Sequence, residues 1–308
     1  MMDNAACEPF IDAHHHFWDL KRNPYPWLQD EPLAEFRYGD YGALRRDYLP
    51  DDFARDTGND SPCASVHIEA EWSRAAPVDE TRWLHAVSDR HGLPTVIVAH
   101  AQLDADDVTQ VLAAQAAFPR VRGIRHKPAV AADQAALCRG ASGSMDDSRW
   151  RNGYAQLAAH GLSFDLQAPW WHLEQAADLA RDFPDTTLIL NHAGLPADRT
   201  PEGLVRWRAA LVCLAKEPNT AIKLSGMGVR DQPWPEVENI RLMREAIDIF
   251  GPLRCMFASN YPVDSLVVPY PVLLSAFREA IAPRPAHERQ ALLQGNARRI
   301  YRIPQGGV

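Results

Sequence analysis

Residues 162–192 read LSFDLQAPWWHLEQAADLARDFPDTTLILNH. The runs Leu162–Ala168 and Thr187–His192 are short and largely apolar, which predicts two buried strands. Between them, Trp171–Phe183 carries apolar residues at a spacing near 3.6, which predicts an amphipathic helix. A strand, a helix and a second strand in this order indicate two parallel strands joined by a crossover.

The same alternation extends along the rest of the chain. Further strands are predicted at Phe10–His16, Ser65–Glu71, Thr95–Ala101, Val121–His126, Thr220–Gly226 and Cys255–Asn260. Further helices are predicted at Asp106–Phe118, Gly203–Lys216 and Val237–Phe250, with an amphipathic helix at Glu288–Tyr301. Eight strands in 308 residues predict an α/β fold with one domain over residues 1–308, a single (β/α)8 TIM barrel. An open doubly wound sheet is less favoured because no Gly-rich turn follows the first strand.

The composition restricts the class of function. A net charge of −8 without a cluster of Lys and Arg excludes nucleic acid or an anionic membrane as a partner and favours a small-molecule substrate. The five cysteines are scattered and lack a C-x-x-C spacing, which is typical of reduced thiols. The N-terminus has no signal-peptide pattern, so we expect a cytoplasmic enzyme. Whether it forms a homo-oligomer is left open.

Polar side chains recur where the predicted strands end. In a strand, side chains alternate between faces, so His14 and His16 are expected on one face and His15 on the other. The other strand ends contribute Glu69, Arg125, Gln167, His192 and Asn260. Any one of these could be a hydrogen-bonded core residue. Their convergence at the C-terminal mouth of a barrel predicts a functional site there.

A segment of nearly fifty residues, from Phe17 to Pro62, separates the first two predicted strands. A connection of this length is usually a lid or a binding loop. It is rich in aromatic and basic residues, among them Trp18, Tyr25, Trp27, Phe36, Arg37, Tyr38, Tyr41, Arg45 and Arg46. Rings beside guanidinium groups suit a flat or sugar-like anionic substrate. The alternative is that several of these rings pack against one another on the barrel rim.

An ordered series of motifs spans the chain from about Phe10 to Tyr301. It comprises IDAHHHFWD at 11–19, GIRH at 123–126, FDLQ at 164–167, LNHAG at 190–194, KLSG at 223–226, SNYPVD at 259–264 and GNARRIY at 295–301. This series resembles the amidohydrolase superfamily, and within it the amidohydrolase-2 group of TIM-barrel metal-dependent hydrolases. The resemblance implies a hydrolase, most closely a lactonase, that opens the cyclic ester of a sugar acid or a related carboxylated compound.

The resemblance also implies roles for particular residues. The H-x-H motif of the family falls on His14 and His16, its basic residue facing a substrate carboxylate on Arg125, and a further histidine on His192. These three histidines are the expected ligands of one divalent metal ion, zinc above all, and metal-free catalysis is an equal alternative. At the end of strand eight the family carries Asp, and this chain carries Asn260.

That difference leaves the general base open, because an amide cannot accept a proton near neutrality. Asp264 is predicted either to reach back into the mouth as the base or to cap the following segment. Glu69, Asp165 and His192 are the other candidates for this role. Substrate contacts are expected from Arg125, Glu69, Gln167, Trp72 and Tyr261, and Asn260 is expected to orient water. The alternative functions are a metal-dependent decarboxylase and a barrel that binds a small molecule without turnover.

Overall fold

The computed structural model of the protein describes residues 8–30 and 36–305. Eight parallel strands lie in sequence order around one sheet, as the strand–helix alternation predicts. They are β1 (Ile11–His15), β2 (Ala64–Ile68), β3 (Val96–His100), β4 (Val121–Arg125), β5 (Ser163–Leu166), β6 (Leu188–Leu190), β7 (Thr220–Leu224) and β8 (Cys255–Phe257). The TIM-barrel prediction is confirmed. Each strand is one to three residues shorter than predicted, and polar residues that end several predicted strands, such as Glu69, Gln167 and His192, lie just beyond the strand.

Helices connect the strands and cover the outside of the barrel. They are α1 (Pro26–Gln29), α2 (Pro50–Thr57), α3 (Pro77–His91), α4 (Val108–Ala116), α5 (Ser148–Tyr154), α6 (Leu173–Asp182), α7 (Pro201–Ala215), α8 (Glu236–Phe250), α9 (Tyr270–Ile281), α10 (Ala286–Gln290) and α11 (Asn296–Ile300). The four predicted crossover helices are present as α4, α6, α7 and α8. In the described part of the chain, no helix is long and apolar enough to cross a membrane.

The barrel closes through residues that follow β8. The backbone N–H of Asn260 donates to the carbonyl of His14, and the N–H of His16 donates to the carbonyl of Tyr261, both at 2.7 Å. These two bonds join the first strand to the last. They also hold Asn260 beside the histidines of β1, so closure of the fold and assembly of the site use the same contacts.

An irregularity in β1 decides which of its side chains face the mouth. The pairing of β1 with β2 slips between Asp12 and His15. Ile11 and Ala13 belong to the inner apolar cluster, whereas the Asp12 carboxylate accepts a 3.1 Å hydrogen bond from the Tyr270 hydroxyl of α9. Strict alternation would have placed Asp12 with His14. The bulge instead turns Asp12 outward and His14 inward.

The predicted terminal helix is a broken one. Its parts are α10, a π-helical turn at Ala291–Gly295, and α11. Ala297 and Tyr301 pack into the inner apolar cluster, and the Tyr301 hydroxyl donates to Asp165 at 3.0 Å. This segment closes the end of the barrel opposite the mouth.

The segment between β1 and β2 is more compact than a lid. Its backbone folds back on itself, since Trp18 and Tyr48 exchange two 2.9 Å backbone hydrogen bonds. Several of its rings are buried, namely Trp18, Tyr25, Tyr38, Tyr41, Tyr48 and Phe53. Trp18, Trp27, Phe36 and Arg37 also border the cavity described next. Some rings of this segment therefore pack on the barrel rim and others border the cavity, and Trp18 does both.

Candidate active site

A cavity of about 530 Å³ opens at the C-terminal mouth of the barrel. Its floor carries His16, Arg125, Gln167, His192 and Asn260, all of which the sequence places at strand ends. Its walls include Trp18, Trp27, Phe36 and Trp72. Aromatic walls around a polar floor suit a small ring compound that bears polar groups.

His16 of the cavity floor faces the fully buried His14. Their Nε2 atoms lie 3.2 Å apart, and His16 Nδ1 lies 2.8 Å from the carbonyl oxygen of Ile68. Because that carbonyl only accepts, His16 carries its proton on Nδ1 and keeps a lone pair on Nε2. Burial lowers the pKa of both rings, with help from the Lys223 charge for His14 and the Arg125 charge for His16. Both histidines are therefore neutral at neutral pH.

His192 is presented by a strained turn at the end of β6. His192, Ala193, Gly194 and Leu195 all have positive φ angles, between 50° and 70°. Non-glycine residues in this region cost about 1–3 kcal/mol each and are retained where the surrounding structure holds them. Trp207 contributes to holding the turn, because its indole N–H donates to the Ala193 carbonyl at 2.8 Å.

The His192 ring is oriented for proton transfer. Its Nδ1 lies 3.0 Å from the Ser225 hydroxyl, and its ring centroid lies 4.7 Å from that of His14. With Nδ1–H donating to Ser225, the Nε2 lone pair is free for the cavity. Burial and the charges of Arg37 and Arg125 lower the pKa of His192, so the ring is neutral at neutral pH.

Asp264 does not reach the cavity, and the expectation that it would is wrong. Its buried carboxylate accepts hydrogen bonds from the Asn260 amide at 2.7 Å, the Tyr38 hydroxyl at 3.0 Å and the Gly226 backbone N–H at 3.0 Å. It caps no helix either, since the following 3-10 turn has no side-chain cap. Asp264 instead lies behind Asn260 and ties β7, β8 and the long first segment together.

Glu69 and Arg125 form a buried ion pair beneath the cavity wall. Arg125 Nε donates to the Glu69 carboxylate at 2.6 Å, and its Nη2 donates to the Glu69 carbonyl. Its Nη1 lies 3.3 Å from the Gln167 side-chain oxygen, at the cavity floor. Although burial opposes ionisation, the Arg125 charge holds the pKa of Glu69 well below its usual range. Glu69 is thus an anchor for Arg125 and a poor proton acceptor.

The Asp165 carboxylate of β5 also has ion-pair and hydrogen-bond partners. It forms a 2.5 Å ion pair with Lys223, and both side chains are fully buried. The Tyr301 hydroxyl donates to the same carboxylate. Burial lowers the pKa of Lys223 to about 8, against the attraction of Asp165. This network lies inside the barrel and supports the floor from below.

Tyr261, expected to contact the substrate, does not line the cavity. Tyr261 is turned away from the cavity: its hydroxyl donates to the Val268 carbonyl at 2.6 Å and its ring packs 5.0 Å from Tyr270. The positive φ of Asn260, 58°, redirects the chain at this point.

The donor set for a metal ion is sparse. The Nε2 atoms of His14 and His16 converge, and the Asn260 side chain lies close to His16. The carboxylates that could complete a set are bonded elsewhere, and within residues 8–30 and 36–305 no group of three or more His, Cys, Asp or Glu could hold a metal ion. Two imidazoles and one amide oxygen do not fit the three or four good ligands of a zinc centre.

Sequence patterns alone do not single out Arg74 or Lys127. Both line the cavity and both contact Glu71, as described below. Arg74 follows β2 in an irregular segment, so periodicity carries no information about its direction. Lys127 follows β4 directly, and its place after Arg125 is the one signal that could have indicated it.

A parallel eight-stranded barrel with histidines and an arginine at its C-terminal mouth defines the architecture of a TIM-barrel enzyme. Residues 11–303 match the amidohydrolase family. The protein belongs to this family.

Relatives of full length agree with this assignment. The uncharacterized protein y4mH of Sinorhizobium fredii is 40% identical over 95% of this chain and 98% of its own. An L-fucono-1,5-lactonase of Burkholderia multivorans is 31% identical over 96% of both chains. An amidohydrolase structure from Burkholderia multivorans superimposes with a TM-score of 0.78 at 30% identity, covering 96% of this chain and 100% of that one. The same match holds for a structure of that amidohydrolase with bound zinc.

Proposed function

We propose that the protein is a lactonase that hydrolyses the cyclic ester of a sugar acid. The neutral His192 ring at the cavity floor is the observation that carries the proposal, because in the tautomer whose Nδ1–H donates to Ser225 its Nε2 is the proton acceptor that Asn260 cannot be. The 31% identity to an L-fucono-1,5-lactonase supports the choice of substrate class. The cavity volume of about 530 Å³ suits a single sugar ring.

The proposed reaction needs one proton acceptor and one group that stabilises negative charge. His192 Nε2 accepts a proton from water as the water oxygen bonds to the lactone carbonyl carbon. Negative charge then develops on the carbonyl oxygen, where Arg125 Nη1 provides a cationic donor. As the ring C–O bond breaks, the His192 imidazolium returns its proton to the leaving alkoxide. The product is the open-chain hydroxy acid, and all protons are accounted for.

In this proposal no step uses a metal ion. The zinc-bound relative favours a metal-assisted form of the same hydrolysis, whereas the sparse donor set here favours the imidazole route. A metal-dependent decarboxylase would require a firmly held metal, for which this donor set is poor. A barrel that only binds its ligand would be stabilised by a sugar lactone without forming product.

A panel of aldono-1,4- and aldono-1,5-lactones, followed with a pH indicator in the presence and absence of a chelator, tests these alternatives. We expect acid release that the chelator does not abolish. His192→Gln should lower kcat by roughly two to four orders of magnitude, the usual effect of losing a general base. His91→Asn is the matched control, because His91 is exposed at the end of α3. Ligand-induced stabilisation without acid release would establish the binding function instead.

A further inference from the structure

An acidic side chain in the cavity wall is held between two basic ones. Glu71 lies just past the end of β2, and its carboxylate is 2.6 Å from Lys127 Nζ. The Arg74 guanidinium forms an ion pair with the same carboxylate. All three residues line the cavity, and the Glu71 side chain is 24% exposed. Glu71 is thus part of the cavity wall.

Glu71 combines an unfavourable backbone conformation with a negative charge. Its φ of 62° lies in the left-handed region, which disfavours a long side chain. Burial and the nearby Glu69 carboxylate oppose its ionisation, but Lys127 and Arg74 outweigh them and lower the pKa of Glu71. The residue is therefore an anion at neutral pH in a conformation that glycine would adopt more readily.

Two other basic side chains of the cavity, Arg125 and Arg37, also have hydrogen-bond or ion-pair partners. Arg125 is paired with Glu69 at 2.6 Å, and Arg37 donates to the Gly226 carbonyl. Arg74 also lies 3.7 Å from the Glu69 carboxylate, so the two carboxylates share Arg74, whereas Lys127 pairs with Glu71. Without Glu71, the side of the cavity next to Arg125 would present Lys127 without this partner and Arg74 with only the longer contact to Glu69. Such a surface would attract an anionic group on the substrate.

We propose that Glu71 is a specificity-determining residue, which makes the cavity select uncharged polyhydroxylated lactones over lactones that carry a carboxylate. The inference rests on the proposed lactonase function. An ionised Glu71 accepts hydrogen bonds from ring or side-chain hydroxyls and repels a carboxylate. It also occupies the two cations that would otherwise bind that carboxylate. Discrimination of this kind combines an attractive contact with a repulsive one.

The test compares two substrates that differ at one position. Galactono-1,4-lactone ends in a hydroxymethyl group, and galactaro-1,4-lactone carries a carboxylate in its place. The ratio of kcat/KM for the first over the second is measured in the wild type and in Glu71→Gln. We expect the ratio to fall by about tenfold or more in the variant, the scale of exposing unbalanced charge to an anion. Glu71→Gln combined with Lys127→Met should recover much of the lost selectivity.

Glu245→Gln is the matched control. Glu245 of α8 is likewise held by two basic residues, Arg208 at 2.8 Å and Arg241 at 2.7 Å, and is 26% exposed, but it lies outside the cavity. Its substitution should leave the ratio unchanged. An unchanged ratio in Glu71→Gln would overturn the inference while the lactonase function stands. If the wild type opens no lactone, the lactonase function fails. Calorimetric titration of the wild type and of Glu71→Gln, each with galactarate and with galactonate, then tests the role of Glu71 separately. In that titration, equal preferences in wild type and Glu71→Gln would overturn the inference.

Discussion

The Asp264 carboxylate accepts a 2.7 Å hydrogen bond from the Asn260 side-chain amide. Because a carboxylate only accepts, this contact requires the amide nitrogen to face Asp264 and leaves the amide oxygen to the opposite side. The Asn260 side chain also lies close to His16. Asp264 therefore determines how the Asn260 side chain is presented to His16.

Asp264→Asn should lower activity by a smaller factor than His192→Gln does. The substituted amide can still contact Asn260, but it no longer fixes which atom of Asn260 faces the cavity, and the Tyr38 and Gly226 contacts weaken. We expect kcat to fall by about one to two orders of magnitude, below the full loss of a general base. Steady-state kinetics of the two variants side by side measure this. The exposed Asp231→Asn is the control, and equal losses in kcat at unchanged stability would mean that Asp264 itself handles the proton.

Gly226→Ala should displace His192. Gly226 has a φ of +61°, and an added Cβ would lie 2.7 Å from His192 Cβ and from Arg37 Nη2. We expect a loss of roughly 2–4 kcal/mol in the free energy of unfolding, from backbone strain and the clash together, and a strong fall in kcat. Urea unfolding and kinetics check both effects.

Gly161→Ala separates the two causes of that loss. Gly161 also has a φ of +61°, but its Cβ would meet nothing within 4 Å. It should show only the backbone cost, about 1–2 kcal/mol, with activity retained. Similar losses in both variants would mean that His192 yields to the new methyl group without strain.

Glu80→Gln should change how stability depends on pH. The buried Glu80 carboxyl accepts a 2.8 Å hydrogen bond from the Ala70 backbone N–H behind the cavity wall. Burial, reinforced by the Glu69 charge, raises its pKa to about 8. The unfolded chain releases the Glu80 proton from about pH 4.5, whereas the folded protein keeps it up to about pH 8. The stabilisation that Glu80 contributes is therefore fully present below pH 4.5 and is lost as the pH rises through 8.

Glutamine mimics the protonated acid at every pH. The variant should match the wild type at pH 5 and exceed it by about 1–3 kcal/mol at pH 8.5, as measured by urea unfolding at both values. The pH 5 measurement is the internal control. A constant difference between the two proteins across this range would show that Glu80 titrates normally in the folded state.

Sequence periodicity predicted the barrel because its strands are short apolar runs, and the mouth because polar residues follow those runs. Prediction failed where the backbone leaves regular geometry. The bulge that turns Asp12 outward and the left-handed conformation of Asn260, which carries Tyr261 and Asp264 away from the cavity, depend on contacts between β1 and β8. Such contacts join residues about 250 positions apart and leave no local pattern.

Asn260→Asp should create a zinc site where the native donor set is too sparse. The new carboxylate would lie beside His16. It would also lie next to the Asp264 carboxylate, where the Asn260 amide now donates a 2.7 Å hydrogen bond. Two carboxylates this close cannot both ionise freely, so one keeps a proton unless a cation binds. The variant without metal should therefore be less stable than the wild type, and zinc should restore its stability.

Metal analysis after dialysis against zinc and thermal unfolding with and without zinc measure this prediction. We expect close to one zinc ion per chain in Asn260→Asp and a rise in Tm on adding zinc that the wild type lacks. Adding His16→Ala to the variant should abolish both effects, because one of the two imidazole ligands is removed. Zinc uptake that survives His16→Ala would place the ion elsewhere. Unchanged zinc content in Asn260→Asp would contradict the orientation of residue 260 toward the histidines, and with it the positioning role of Asp264.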